Sequence, residues 1–225
     1  MEMTVNIKLN NKLFLRNPDE SELGKKILQY SIILIHRIGF EAFTFKKLAA
    51  EIGTTEAGVY RYFENKHRLL LYLVDWYWSW QEYRLIYATN NISDPTEKLS
   101  IAIKLLSTSV EDDTSTSYID EKLLFEIVIM EGAKSYLTRH VTEDNKHRLF
   151  KPYKDLCARI ADIILECNPT YKYPRSLASS AIEMAHSHNF YVKHLPSLTD
   201  FNSLNTTHNV PDFIEDMVFS VIRIP

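Results

Sequence analysis

The sequence predicts an all-α fold with a helix-turn-helix near its N-terminus. Three observations lead there. Apolar residues recur every three or four positions over most of the chain, the period of a helical face. Only 5 of the 225 residues are Gly and 8 are Pro, too few for a β-fold and its many tight turns. The stretches between periodic segments are polar or contain Pro, as connections between helices do. With 45% hydrophobic residues the chain can bury a substantial core.

The first sixteen residues form an extension that alternates. Val5, Ile7 and Leu9 alternate before Asn10-Asn11, and Leu13 and Leu15 after it; this reads as a short hairpin. Asn17-Pro18-Asp19-Glu20 supplies an N-cap, a first-turn Pro and a capping-box Glu. Ile27, Ser31, Leu34 and Ile38 then give one face of a first helix, which Gly39 ends as a left-handed cap. Two short helices follow between Phe45 and Phe63. A long helix runs from Lys66 to about Thr89, with Leu69, Leu73, Trp76, Trp80, Tyr83 and Tyr87 on one face. Further helices are expected over 95–109, 120–137, 142–166, 174–194 and 211–222. The acidic, Ser/Thr-rich stretch 111–117 reads as a surface loop.

Composition narrows the function classes. A formal net charge of −3 excludes a globally basic nucleic-acid binder but permits a local basic patch. Cys157 and Cys167 lie about 15 Å apart along one helix and so cannot pair. No apolar run is long enough to span a bilayer, and the N-terminus lacks the pattern of a signal peptide. A cytoplasmic protein is expected.

The stretch 44–66 carries the chemistry. Two helices joined by a tight turn must cross steeply, which requires a small residue where the backbones meet. Ala49 fits. Gly53, four residues on, supplies the turn, and Val59, six further, anchors the second helix; Leu48, Ile52 and Phe63 complete a small core. Thr44 is placed to cap the first of these helices and to meet a phosphate. Thr54, Thr55 and Glu56 open the second, where side chains enter a major groove, and Tyr60 and Arg61 follow one turn later. Lys66 can reach a phosphate as a point charge, and Lys46, Lys47, Lys25 and Lys26 add positive charge. The plainer alternative is a helical hairpin with this spacing by chance; Glu51, Glu56 and Glu64 dilute the charge in its favour.

From Glu22 to Tyr72 the chain resembles the TetR family of bacterial regulators. The resemblance rests on Gly39-Phe40, Thr44, Leu48-Ala49, Gly53 and Tyr60-x-Tyr62-Phe63-x-Asn65-Lys66. It implies an N-terminal three-helix bundle containing the helix-turn-helix (residues 17–65) and a C-terminal helical domain (residues 66–225) for effector binding and dimerisation. Position by position, Thr44, Tyr60 and Lys66 match phosphate contacts, and Thr54, Thr55, Glu56 and Arg61 match groove contacts. Glu56 departs from the neutral or basic residue commoner there, and Gly58 from a Thr or Ser. A carboxylate can accept from cytosine N4.

The resemblance implies a regulator, a repressor by expectation, acting as a homodimer on a palindromic operator of double-stranded DNA. A small-molecule effector controls it; no cofactor, metal, enzymatic activity or membrane partner is expected. Candidate pocket residues are Trp80, Tyr83 and Tyr87, with Phe125, Met130 and His188 from later helices. For each, packing in the core is the competing role. The dimer face is expected to bury Leu177, Ala178, Ala181 and Ala185 together with Phe213, Met217, Val218, Val221 and Ile222. Two other readings stand beside this one. The first is a ligand- or lipid-binding protein of the same fold without DNA binding. The second is a helical di-iron enzyme, suggested by Glu64-x-x-His67 and Glu183-x-x-His186.

Overall fold

In the computed structural model, which describes residues 7–108, 118–201 and 209–222, Pro18–Glu20 is a 3-10 turn that Asn17 caps by accepting from the Asp19 N–H. It folds back so tightly that a Cβ on Gly24 would lie 2.1 Å from the Pro18 carbonyl oxygen. The helix therefore starts later than the capping-box pattern suggests. Ser21, not Asn17, caps α1 (Glu22–Ala42), its hydroxyl accepting from the Gly24 N–H. The expected second strand of the extension is replaced by a 3-10 turn, Asn11–Leu13, capped by Asn10. Val5 lies outside the described residues, as does the stretch 111–117.

Gly39 does not end α1. Its φ of 75° and ψ of 156° lie in a region open essentially to Gly alone, and α1 kinks there before one further turn to Ala42. The helices α2 (Phe45–Ile52) and α3 (Glu56–Tyr60) follow, then α4 (Lys66–Thr89). Next come α5 (Pro95–Ser107) and α6 (Glu121–Glu131), the latter running into a 3-10 turn, Gly132–Ser135. The helix expected over 142–166 is two: α7 (Val141–Lys146) and α8 (Lys151–Cys167). Pro152 explains the break, since a proline lacks the N–H that a helix interior requires but is tolerated in a first turn. Arg148 takes a φ of 59° at the corner, and the Leu149 N–H closes it on the Asp144 carbonyl at 3.1 Å. Finally come α9 (Pro174–His194) and α10 (Val210–Ile222).

The chain divides into two compact units: Met1–Trp78 with Ser109–Lys151, and Ser79–Thr108 with Pro152–Pro225. In the first, α1 packs on α2 and α6. Its core takes Ile27, Leu28, Ile32 and Ile35 from α1 and Leu124, Ile127 and Val128 from α6. From Leu69 to Trp78 every residue of α4 is buried, a helix apolar nearly all round. Within that stretch sits Asp75, only 1% exposed, whose Oδ2 has no hydrogen-bond partner among the described residues; burial pushes its carboxyl up to about 8.

In the second unit α5, α9 and α10 pack on one another. Leu99, Ala102, Ile103 and Leu106 of α5 meet a buried row on α9: Leu177, Ala178, Ala181, Ile182 and Ala185. The small-residue face expected at a dimer interface is thus turned inward, because small side chains also let helices of one chain approach closely. Val218 and Ile222 turn inward with it. Phe213, Met217 and Val221, spaced four apart on α10, stay exposed or half-exposed.

Candidate nucleic-acid interface

The α2–α3 pair is built by short-range chemistry. Thr44 caps α2, its hydroxyl oxygen accepting from the Lys47 N–H at 3.2 Å. Gly53 ends α2 in the left-handed region (φ 69°, ψ 37°) and donates its N–H to the Ala49 carbonyl. That conformation costs a residue with a Cβ about 1–2 kcal/mol. Thr55 caps α3, accepting from the Gly58 N–H at 3.1 Å. Leu48, Ala49, Val59 and Phe63 are buried together at the crossing, and the Tyr60 ring meets Phe45 edge-on at 4.9 Å.

What stays outside is a coherent face. Thr55, Glu56, Ala57, Tyr60 and Arg61 are exposed, Thr54 is half-buried, and Gly58 and Val59 turn inward. A Cβ on Gly58 would stand 2.9 Å from the Thr54 Oγ1, so a Thr or Ser there would displace Thr54. Thr44 and Lys46 are exposed at the start of α2.

The cations divide sharply by partner. The Lys66 ammonium donates to the carbonyls of Phe40, Glu41 and Phe43 at 2.9, 3.0 and 3.2 Å, and lies 4.7 Å from the Phe40 ring centroid. The Lys47 ammonium donates to the Ala42 carbonyl at 2.8 Å. Together they hold the carbonyl end of α1, where a positive charge also meets the negative end of the helix dipole. Lys66, expected at a phosphate, therefore has its three donors engaged on its own chain. Asn65 caps α4 by accepting from the Arg68 N–H at 2.9 Å and is itself exposed, so of the Asn65-Lys66 pair only Lys66 joins elements. Lys25 pairs with Glu22, and Arg37 with Glu51. Lys26, Lys46 and Arg61, by contrast, have no carboxylate within 4 Å among the described residues.

The kink at Gly39 is held from α6. The Phe40 N–H, freed by the break, donates to Glu131 Oε1 at 3.0 Å; that carboxylate is buried and pairs with Lys134 at 2.7 Å. One turn into α4, Arg68 meets the buried Asp144 of α7 at 2.8 Å. The N-terminal arm closes over the end of α3, with the Leu15 N–H donating to the Tyr62 carbonyl at 2.8 Å and the Tyr62 hydroxyl 2.8 Å from Ser21 Oγ. Tyr72 and Tyr118 both donate to Asp19, and burial beside that carboxylate pushes both phenols up.

Of the residues expected at an effector pocket, Phe125 and Met130 belong to the first unit and Trp80, Tyr83, Tyr87 and His188 to the second. Phe125 is buried in the first unit, 6.4 Å from the Tyr77 ring, and Met130 in that unit is exposed. In the second unit Trp80 is buried under the Arg84 guanidinium, 4.7 Å from its ring. Tyr83 and Tyr87 stack on each other at the surface, Tyr87 being 71% exposed. His188 is half-buried, 4.9 Å from Phe213 by ring centroid and 3.3 Å from the Thr199 hydroxyl. Among the described residues no three His, Cys, Asp or Glu side chains converge as metal ligands, and no helix is long and apolar enough to cross a membrane. Burial pushes the Cys157 thiol up to about 11.

Residues 27–73 match the family model described as bacterial regulatory proteins, tetR family. No curated protein matches the sequence. Among solved structures, AibR in complex with isovaleryl coenzyme A and operator DNA is similar, with a TM-score of 0.54 and 18% identity, over 88% of this chain and 98% of that one. The fatty acid degradation regulator FadR from Bacillus halodurans aligns with a TM-score of 0.57 and 16% identity, over 88% and 96%. The superantigen PfiT aligns with a TM-score of 0.59 and 16% identity, over 92% and 98%. At these identities the likeness is one of fold.

Proposed function

Taking as premise that the chain carries the DNA-binding domain of the tetR family of bacterial regulators, we propose that it is a cytoplasmic, non-enzymatic transcriptional repressor released from its operator by a small molecule. One observation carries this: α3 is clamped on α2 by Ala49, Gly53 and Val59 while Thr55, Glu56, Tyr60 and Arg61 stay exposed on one face. Docked in a major groove, Thr54, Thr55, Glu56 and Arg61 read base edges. Thr44, whose hydroxyl proton stays available, joins Lys46 and Tyr60 in positioning the protein on phosphates. The regulators of like fold support the reading, AibR having been solved with both a ligand and operator DNA. The superantigen of like fold is why the site, not the fold, has to carry it.

The protein works as a two-fold dimer. Phe213, Met217 and Val221 of α10, Tyr191 of α9 and Leu195 just beyond it form, with His188, the largely apolar face left open in one chain, and a second copy covers it. Two-fold symmetry then calls for a palindromic operator. The effector enters among the helices beyond residue 66, where Trp80 of the second unit is the buried aromatic candidate, and acts by binding one state of the dimer more tightly than the other.

Selection of duplexes from random sequence by the purified full chain tests the proposal. Enrichment of a palindrome, with loss of preference at single positions for Thr55→Ala, is the expected result. A folded dimer that enriches no sequence would refute it. One that carries a lipid through purification would instead establish the ligand-carrier reading, which the evenly balanced charges of residues 44–65 favour.

A further inference from the structure

We propose that the N-terminal arm, residues 7–17, is a second DNA-contacting element in which Arg16 grips a phosphate beside the end of α3. The proposal rests on the DNA-binding reading above and assigns a contact outside the helix-turn-helix.

Charge raises the question. Residues 44–65 hold three cations, Lys46, Lys47 and Arg61, against three carboxylates, Glu51, Glu56 and Glu64. Lys47 is engaged on Ala42, and Arg37 offsets Glu51, which leaves Lys46 and Arg61 facing Glu56 and Glu64. A motif with balanced charge gains little from the polyanion that supplies most of the affinity in DNA binding. Cations must come from elsewhere. The arm has three, Lys8, Lys12 and Arg16, and no carboxylate.

Geometry places one of them. The arm is fixed at both ends. Asn10 Nδ2 donates to the His147 carbonyl at 2.9 Å, and the Lys12 ammonium to His147 Nδ1 at 2.7 Å. Leu13 is buried, Phe14 meets the Tyr72 ring edge-on at 6.1 Å, and the Leu15 N–H bonds the Tyr62 carbonyl. Arg16 follows, exposed, its guanidinium 5.4 Å from the centre of the Tyr62 ring. Tyr62 is the residue after Arg61, so two arginines without carboxylate partners among the described residues flank one point of the chain where α3 ends. A guanidinium oriented on a ring face and held by an ordered backbone loses little freedom on meeting a phosphate. Lys12 is tied to His147, and of the arm's cations Arg16 is the one held beside the end of α3.

The test uses the full chain and a duplex selected by the wild type. Affinities of wild type, Arg16→Ala and Arg16→Lys are measured across a salt series, with a thermal melt of each. One phosphate lost per protomer makes the slope of log affinity against log salt shallower by about 1.8 for a dimer, so the advantage of wild type over Arg16→Ala shrinks about tenfold over a fourfold rise in salt. Arg16→Lys keeps the slope, and the loss in Arg16→Ala is the same on unrelated duplexes. An unchanged slope with a lowered melting temperature would make the arm a brace on Tyr62 and overturn the proposal while DNA binding stands. A wild type that binds no duplex would overturn both.

Discussion

Replacing Asp75 by asparagine should make the protein's stability less sensitive to pH, with the gain growing as pH rises toward about 8. In the unfolded chain this carboxyl titrates near its ordinary 3.8; in the folded chain burial raises it to about 8, and its Oδ2 finds no compensating donor among the described residues. Between those values the native state holds a proton that the unfolded state has released. Stability is therefore fully present below about pH 4, falls as pH rises toward 8, and is level above. Each unit is worth about 1.36 kcal/mol, so the whole interval is on the order of 5 kcal/mol, an upper figure that relaxation around the charge reduces. The amide of Asp75→Asn cannot titrate and resembles the protonated acid in shape. Urea unfolding of both proteins at about pH 5, 6, 7 and 8, at one protein concentration, isolates the effect, because the other groups titrate alike in both. The variant should be more stable than wild type by about 1.5 kcal/mol near pH 5 and by up to about 5 kcal/mol at pH 8. Parallel curves would refute the reasoning and mean that the carboxylate is solvated or paired in solution.

Three further outcomes follow from the interface. Lys66→Ala should destabilise the protein by about 1.5–3 kcal/mol, the worth of hydrogen bonds to a charged group, yet leave the salt slope of DNA binding unchanged; a shallower slope would put the ammonium on a phosphate instead. Gly53→Ala should cost about 1–2 kcal/mol in urea unfolding through backbone strain alone, because nothing lies within 4 Å of the added Cβ. Thr55→Ala removes the α3 cap and should cost about 1 kcal/mol, and its sequence preference should change in the selection; a loss of stability with the same preferred sequence would take Thr55 out of the groove.

How much could be read from the sequence depended on distance along the chain. The Ala49, Gly53 and Val59 spacing acts within eleven residues, and the two helices, the left-handed turn and the exposed face follow from it. Lys66 shows the opposite case. Its carbonyl partners lie 23 to 26 positions earlier, and nothing local distinguishes an ammonium that seals a helix end from one that faces solvent. The inward turn of Ala178, Ala181 and Ala185 likewise depended on where α5 packs, which periodicity does not encode. Two features were legible but outweighed. Pro152 marked the break between α7 and α8, within an apolar rhythm strong enough to suggest one helix. The run of cations without a carboxylate in the arm is visible too, but the alternation of Ile7, Leu9 and Leu13 suggests a hairpin.

The kinked end of α1 bears on what can be cut from this protein. Its freed amide is answered by Glu131, the guanidinium of Arg68 by Asp144, and the arm by His147, all from a stretch that follows the helix-turn-helix by more than fifty residues. A fragment stopping after α4 would leave each of these groups without its counterpart. The helix-turn-helix is therefore no detachable module: its finished shape is supplied by sequence that lies downstream, and whatever rearranges that sequence reaches the first helices of the chain directly.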